Sequence, residues 1–110
     1  MFMFHLTFLV MKVQVHAVHF SADQKLVDFI TRKLEKLETF YDRLVHGEVF
    51  LRLNNEGVKN KTVEISIKVP GSKLFAKEQA RSFEAATEMA TEALKNQLKK
   101  FKTKLRPGRV

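Results

Sequence analysis

Residues 62–69, Thr-Val-Glu-Ile-Ser-Ile-Lys-Val, alternate polar and apolar without a break. Successive side chains of a strand point to opposite faces. Val63, Ile65, Ile67 and Val69 therefore share one face, and Thr62, Glu64, Ser66 and Lys68 share the other. A strand that is dry on one side and wet on the other needs partners in a sheet and an apolar layer over one face.

The rest of the chain supplies both. Residues 12–20 are rich in β-branched residues, with Val13, Val15 and Ala17 alternating with Lys12, Gln14 and His16, and predict a first strand. The period then changes. Leu26, Ile30, Leu34, Leu37, Tyr41 and Leu44 recur at steps of three and four, the mark of one long amphipathic helix. Either Ser21, in a capping box with Gln24, or Asp23 can cap its start. Gly47 stands where a glycine would end it.

Val49, Leu51 and Leu53 alternate with Phe50, Arg52 and Asn54, which predicts a second strand with those three residues inward. A polar loop over 54–60 leads to the strand over 62–69. Pro70-Gly71 makes a tight turn, and residues 73–80 form a shorter last strand. Ser82 caps a second helix with Glu84 in its first turn. Its apolar stripe is Ala86, Ala90, Ala93, Leu94, Leu98, Phe101 and Leu105, and Pro107-Gly108 stops it. The expected fold class is α+β, a β-α-β-β-β-α two-layer sandwich with two helices on one face of a four-stranded sheet. The first helix must cross over between parallel strands.

The 110 residues fit one domain, taken as residues 11–105. Residues 1–10, Met-Phe-Met-Phe-His-Leu-Thr-Phe-Leu-Val, are too short to span a bilayer and lack a basic signal-peptide start. They are expected to be a non-native or disordered extension ahead of a natural start at Met11. Residues 106–110 are expected to form a flexible basic tail.

Charge is unevenly placed. The net charge is +8, yet Lys95, Lys99, Lys100, Lys102, Lys104, Arg106 and Arg109 all lie beyond residue 92, with no acid among them. The first 92 residues hold thirteen basic against twelve acidic groups. Clustered charge makes a local field suited to a polyanion. On a helix, Lys95, Lys99 and Lys102 form one ridge, with Lys100 and Lys104 in a second ridge beside it. Lys25, Arg32, Lys33, Lys36 and Arg43 add cations from the first helix.

Catalytic constellations are lacking. His16 and His19 on one strand would face opposite ways and cannot share a metal. No glycine-rich phosphate loop is present. Glu35, Glu38 and Asp42 lie among Lys33, Lys36 and Arg43 and read as helix ion pairs. With no cysteine, thiolate metal sites and disulfides are excluded, which suits a cytoplasmic protein. No enzyme activity, cofactor, metal, small-molecule substrate or membrane partner is expected. Backbone-directed RNA binding is, because no exposed aromatic triad offers base stacking.

Two segments carry a family resemblance. Lys36-Leu37-Glu38, Phe40-Tyr41 and Asp42-Arg43-Leu44 resemble the end of helix one in the ribosome hibernation promoting factors. These are also called ribosome-associated translation inhibitors or sigma-54 modulation proteins. Ser82-Phe-Glu-Ala-Ala86, followed by Leu94, Gln97-Leu98, Lys100, Lys102 and Lys104, resembles helix two, with Ser82 where the family usually has Asp. The resemblance covers residues 11–105 and is to the short form.

It implies a β-α-β-β-β-α domain that binds ribosomal RNA of the small ribosomal subunit, and the 70S ribosome, in the channel between head and body. There it would block messenger RNA and the A- and P-site transfer RNAs and silence idle ribosomes. By position, Lys36, Lys100, Lys102 and Lys104 are the best-matched contacts. Ala93 and Asn96 stand where short relatives often carry Lys and Arg, and Lys95 and Lys99 are the neighbouring cations. A monomer is expected. The alternatives weighed are a general double-stranded-RNA-binding module and a transcription-factor regulator.

Overall fold

The computed structural model describes residues 11–41, 43–54 and 57–105, the last two without side chains. The elements are β1 (Lys12–Ala17), α1 (Gln24–Glu35), a 3-10 turn (Lys36–Thr39), β2 (His46–Leu53), β3 (Lys61–Val69), β4 (Ser72–Ala80) and α2 (Phe83–Leu105). The expected order β-α-β-β-β-α is therefore present. The strands form one sheet in the order β1-β2-β3-β4. β1 pairs parallel with β2, and the two later pairings are antiparallel.

Alternation in β3 sets the inner face. Val63, Ile65, Ile67 and Val69 are each 0% exposed. Register brings Leu51, Val49 and Gly47 beside Val63, Ile65 and Ile67 on one side, and Ala76 and Leu74 beside Ile65 and Ile67 on the other. α2 lies over β3 and β4, and α1 lies beside α2 toward β1. Ala86 and Ala90, fully buried, let the first half of α2 approach the sheet closely, and Leu94 and Leu98 fill the space further along. Phe20 stacks on Phe83 with centroids 5.4 Å apart, tying the turn before α1 to the start of α2.

Of the two candidate caps for α1, Asp23 is the one used. Its carboxylate accepts from the Leu26 N–H at 2.9 Å. Ser82 caps α2 as expected, with its hydroxyl accepting from the Ala85 N–H at 3.0 Å.

Four expectations are corrected. The first concerns the length of α1, which ends at Glu35 rather than running on to Gly47. Six residues of β1 rise about 20 Å, and a twelve-residue helix returns about 18 Å. A helix reaching residue 46 would overshoot the point where His46 must pair with Lys12. Leu37 and Leu44 remain buried, so the apolar period continues past the helix on a different backbone.

Gly47 is thus a strand residue. A Cβ there would lie 3.1 Å from Met11 Sδ and 3.9 Å from Leu34 Cδ1, so the position is small because Met11, just before β1, and α1 press onto it.

β1 stops at Ala17, not at residue 20, and His19 sits in a turn at φ 65°. His16 and His19 therefore do not share a strand, contrary to expectation.

Leu53, expected inward, is 46% exposed at the open end of β2, beyond the reach of the helices. The expectations for residues 1–10 and 106–110, including the Pro107-Gly108 stop, lie outside the described residues.

β4 is an edge strand, and α2 covers part of that edge. The Gln97 amide donates from Nε2 to the Phe75 carbonyl at 2.8 Å and accepts from the Phe75 N–H at 3.3 Å. One side chain thus occupies the two backbone groups that a neighbouring strand would seek.

Leu94→Ala is expected to cost about 2–5 kcal/mol in urea unfolding, by loss of burial and creation of a cavity. Leu53→Ala is expected to change stability by less than about 0.5 kcal/mol.

Candidate nucleic-acid interface

Most of the cations expected to act together do stand together, on the side of the helical layer where α1 and α2 meet. Lys25, Arg32 and Lys36 recur at seven- and four-residue steps, which keeps them within roughly a 40° arc of the helix surface. All three are exposed. Lys33, next to that arc, reaches across to α2 and pairs with Glu88 at 2.9 Å. It also lies 5.6 Å from the Phe29 ring centroid. Lys33, Lys36 and Lys95 line a cleft of about 250 Å³ between the helices, with Leu37 and Phe40 at its base and Glu88 and Glu92 on its α2 wall.

Phe40 organises this cleft, although the sequence offers it only as part of an aromatic pair. Lys95 Nζ sits 5.2 Å above its ring, and Lys102 Nζ donates to its carbonyl oxygen. Tyr41 meets Phe101 edge-on at 5.6 Å, which fixes the 3-10 turn against the last turns of α2. The break in α1 therefore has a consequence for charge. It turns an aromatic and a free carbonyl toward α2, and two lysines 7 residues apart converge on one residue. The only sequence signal for this was the adjacency of Phe40 and Tyr41 at the end of the helical period.

Lys100 does not lie beside the ridge of Lys95, Lys99 and Lys102, where it had been expected. Lys95 and Lys102 face α1. Lys100 lies one turn beyond Gln97, on the flank that reaches β4. At 100° per residue, Lys100 and Lys102 point about 160° apart. Lys99 is exposed between the cleft and the outer surface of α2. The side chain of Lys104 lies outside the described residues. Lys25 sits at the start of α1, about 16 Å along the axis from Lys36, so it extends the cationic stripe rather than lining the cleft.

The cleft is not uniformly positive. Glu88 takes up Lys33, and Glu92 lies 3.9 Å from Lys95. Among the described residues, no acid lies within ion-pair reach of Lys36, Lys99 or Arg32. They leave net positive charge on an exposed, shallow surface, the form suited to an extended polyanion such as a nucleic-acid backbone. Among the described residues, no helix is long and apolar enough to cross a membrane.

These features define a class: a small α+β domain whose two helices present cations on one side while the sheet carries the core. Residues 13–106 match the family model described as Sigma 54 modulation protein / S30EA ribosomal protein, and the chain belongs to that family. Its relatives include the ribosome hibernation promoting factor of Pseudomonas putida, 29% identical over 94 residues that make up 86% of this chain and 89% of that one. The fold is shared with a ribosomal subunit interface protein from Coxiella burnetii, at TM-score 0.76 and 21% identity, covering 84% of this chain and 98% of that one. It is shared also with the N-terminal domain of Thermus thermophilus Protein Y, at TM-score 0.73 and 23% identity, covering 83% and 99%.

The Lys33–Glu88 bridge is expected to couple the helices weakly, because Glu88 is 55% exposed. A double-mutant cycle of Lys33→Ala and Glu88→Ala in urea unfolding is expected to give about 0.2–1 kcal/mol, falling as salt is added.

Proposed function

We propose that this chain binds ribosomal RNA of the small ribosomal subunit, in free subunits and in 70S ribosomes, and inhibits translation in idle ribosomes. In this reading the domain enters the channel between head and body and occludes messenger RNA and the A- and P-site transfer RNAs. It acts as a cytoplasmic monomer that binds without catalysing a reaction. Family membership supports a ribosome-associated role in regulating translation, as do relatives named for ribosome hibernation.

The observation that carries the reading to RNA is the convergence of Lys33, Lys36, Lys95 and Lys102 around Phe40, with Arg32 and Lys99 at its margins. Such a surface meets phosphates rather than base edges. Register and orientation then come from backbone shape, and affinity comes largely from counterion release. The paired acids Glu88 and Glu92 restrain that affinity by holding two of the cations. A binder that must leave the ribosome when translation resumes is served by a grip of this graded kind.

Co-sedimentation with small subunits at graded potassium chloride tests the reading. Wild type is expected to bind at physiological salt and to weaken steeply above it. The variant with Lys36, Lys95, Lys99 and Lys102 all changed to Ala is expected to lower the slope of log affinity against log salt by about three to four. Wild type absent from the ribosomal pellet at physiological salt would overturn the proposal. Glu88→Gln, which releases Lys33, is expected to bind more tightly and to steepen the slope by about one. Unchanged binding would show that Lys33 does not reach a phosphate.

A further inference from the structure

The outer face of the sheet, opposite the helices, carries charge in a pattern that the helical surface does not explain. Register places Lys12 beside His46, His46 beside Lys68, and Lys68 beside Lys73. One row across all four strands therefore presents three lysines and an imidazole, with no acid in it. Lys12, Lys68 and Lys73 are exposed. Three inter-strand gaps of about 4.8 Å make the row about 14 Å wide. The acids of this face stand in other rows. Glu48 lies 3.5 Å from His16, and Glu64 lies 3.3 Å from Arg52 and 3.9 Å from Lys77.

The row lies at the end of the domain toward which both helices run. Gln97 is bonded to Phe75, Lys73 precedes Phe75 by two strand residues on the same face, and Lys100 follows Gln97 by one helical turn. Lys100, left apart from the interhelical cleft, thus continues the sheet row around the β4 edge. Cations laid in a line along a sheet and carried round an edge match a charged backbone better than a compact anion, which would need them to converge.

We propose that the row Lys12, His46, Lys68 and Lys73 is a second RNA-binding surface, which grips the phosphate backbone of an RNA segment other than the one met by the helices. The domain would then be held between two RNA segments rather than on one. This rests on the reading of the helical face as the first RNA contact. It goes beyond that reading in assigning a separate surface on the other layer.

The test compares wild type with a sheet variant, in which Lys12, Lys68 and Lys73 are changed to Ala, and with the quadruple helix variant above. Each is measured by co-sedimentation with small subunits at graded salt. In parallel, wild type is titrated with a 12-base-pair RNA duplex and followed by backbone amide NMR shifts. Because the three lysines are exposed, the sheet variant is expected to melt as wild type does. It is expected to lose about ten-fold or more in subunit affinity and to lower the salt slope by about two to three.

Subunit affinity and slope equal to wild type, for a sheet variant that melts normally, would overturn the proposal and leave the helical reading standing. Weakened binding confined to vesicles of anionic phospholipid, with subunit binding unchanged, would overturn it equally. If wild type does not bind subunits at all, the helical reading fails and the duplex titration decides. Shifts clustered at residues 12, 46, 68 and 73 would support the sheet surface, and shifts absent there would overturn it.

Discussion

The burial of β3 beneath α2 determines where the charged groups of the second helix can stand. Four β-branched residues of one strand are wholly dry, and they are dry because Ala86 and Ala90 let a helix backbone settle on them. Larger side chains there would lift the helix and open the layer. With α2 seated, its opposite flanks are fixed. One looks across to α1, and the other reaches the edge of β4, where Gln97 holds Phe75 by two hydrogen bonds. The lysines that follow on α2 inherit these directions.

α1 is seated against α2 by contacts of another kind. An exposed ion pair, Lys33 with Glu88, contributes little by itself. The aromatic contacts count for more: Phe40 beneath Lys95, and Tyr41 against Phe101. Packing and charge placement are thus the same event at this junction. The residue that closes the 3-10 turn after α1 also gathers the cations, and a change at Phe40 would disturb both.

Much of this was legible in advance. The alternation of residues 62–69 and the three- and four-residue steps around Leu34 and Leu94 gave the element order and the inner residues of β3 and α2. Hydrophobic period depends on the few residues nearest in the chain, so it survives without tertiary knowledge. Gly47 was not legible as it is. A glycine beyond a helical period looks like a cap, and only the press of Met11 and Leu34 onto β2 makes it a packing residue. The end of α1 was hidden for the same reason, since Leu37 and Leu44 keep a helical spacing after the helix has stopped. In the site, Lys36, Lys95 and Lys102 were found from the sequence, but Phe40, which joins two of them, was not.

By itself the sequence determined which faces of which elements are apolar and how many cations the chain carries, because both are properties of residues and their near neighbours. Tertiary structure alone decided which charges meet. It brought Lys95 and Lys102 onto Phe40, gave Lys33 to Glu88, and aligned Lys12, His46, Lys68 and Lys73 in one row across four strands. The reason is that electrostatic interaction falls with distance in space and is blind to separation in sequence. Strand register and helix seating set those distances, so the surface a polyanion would meet exists only once the sheet has paired and the helices have settled on it.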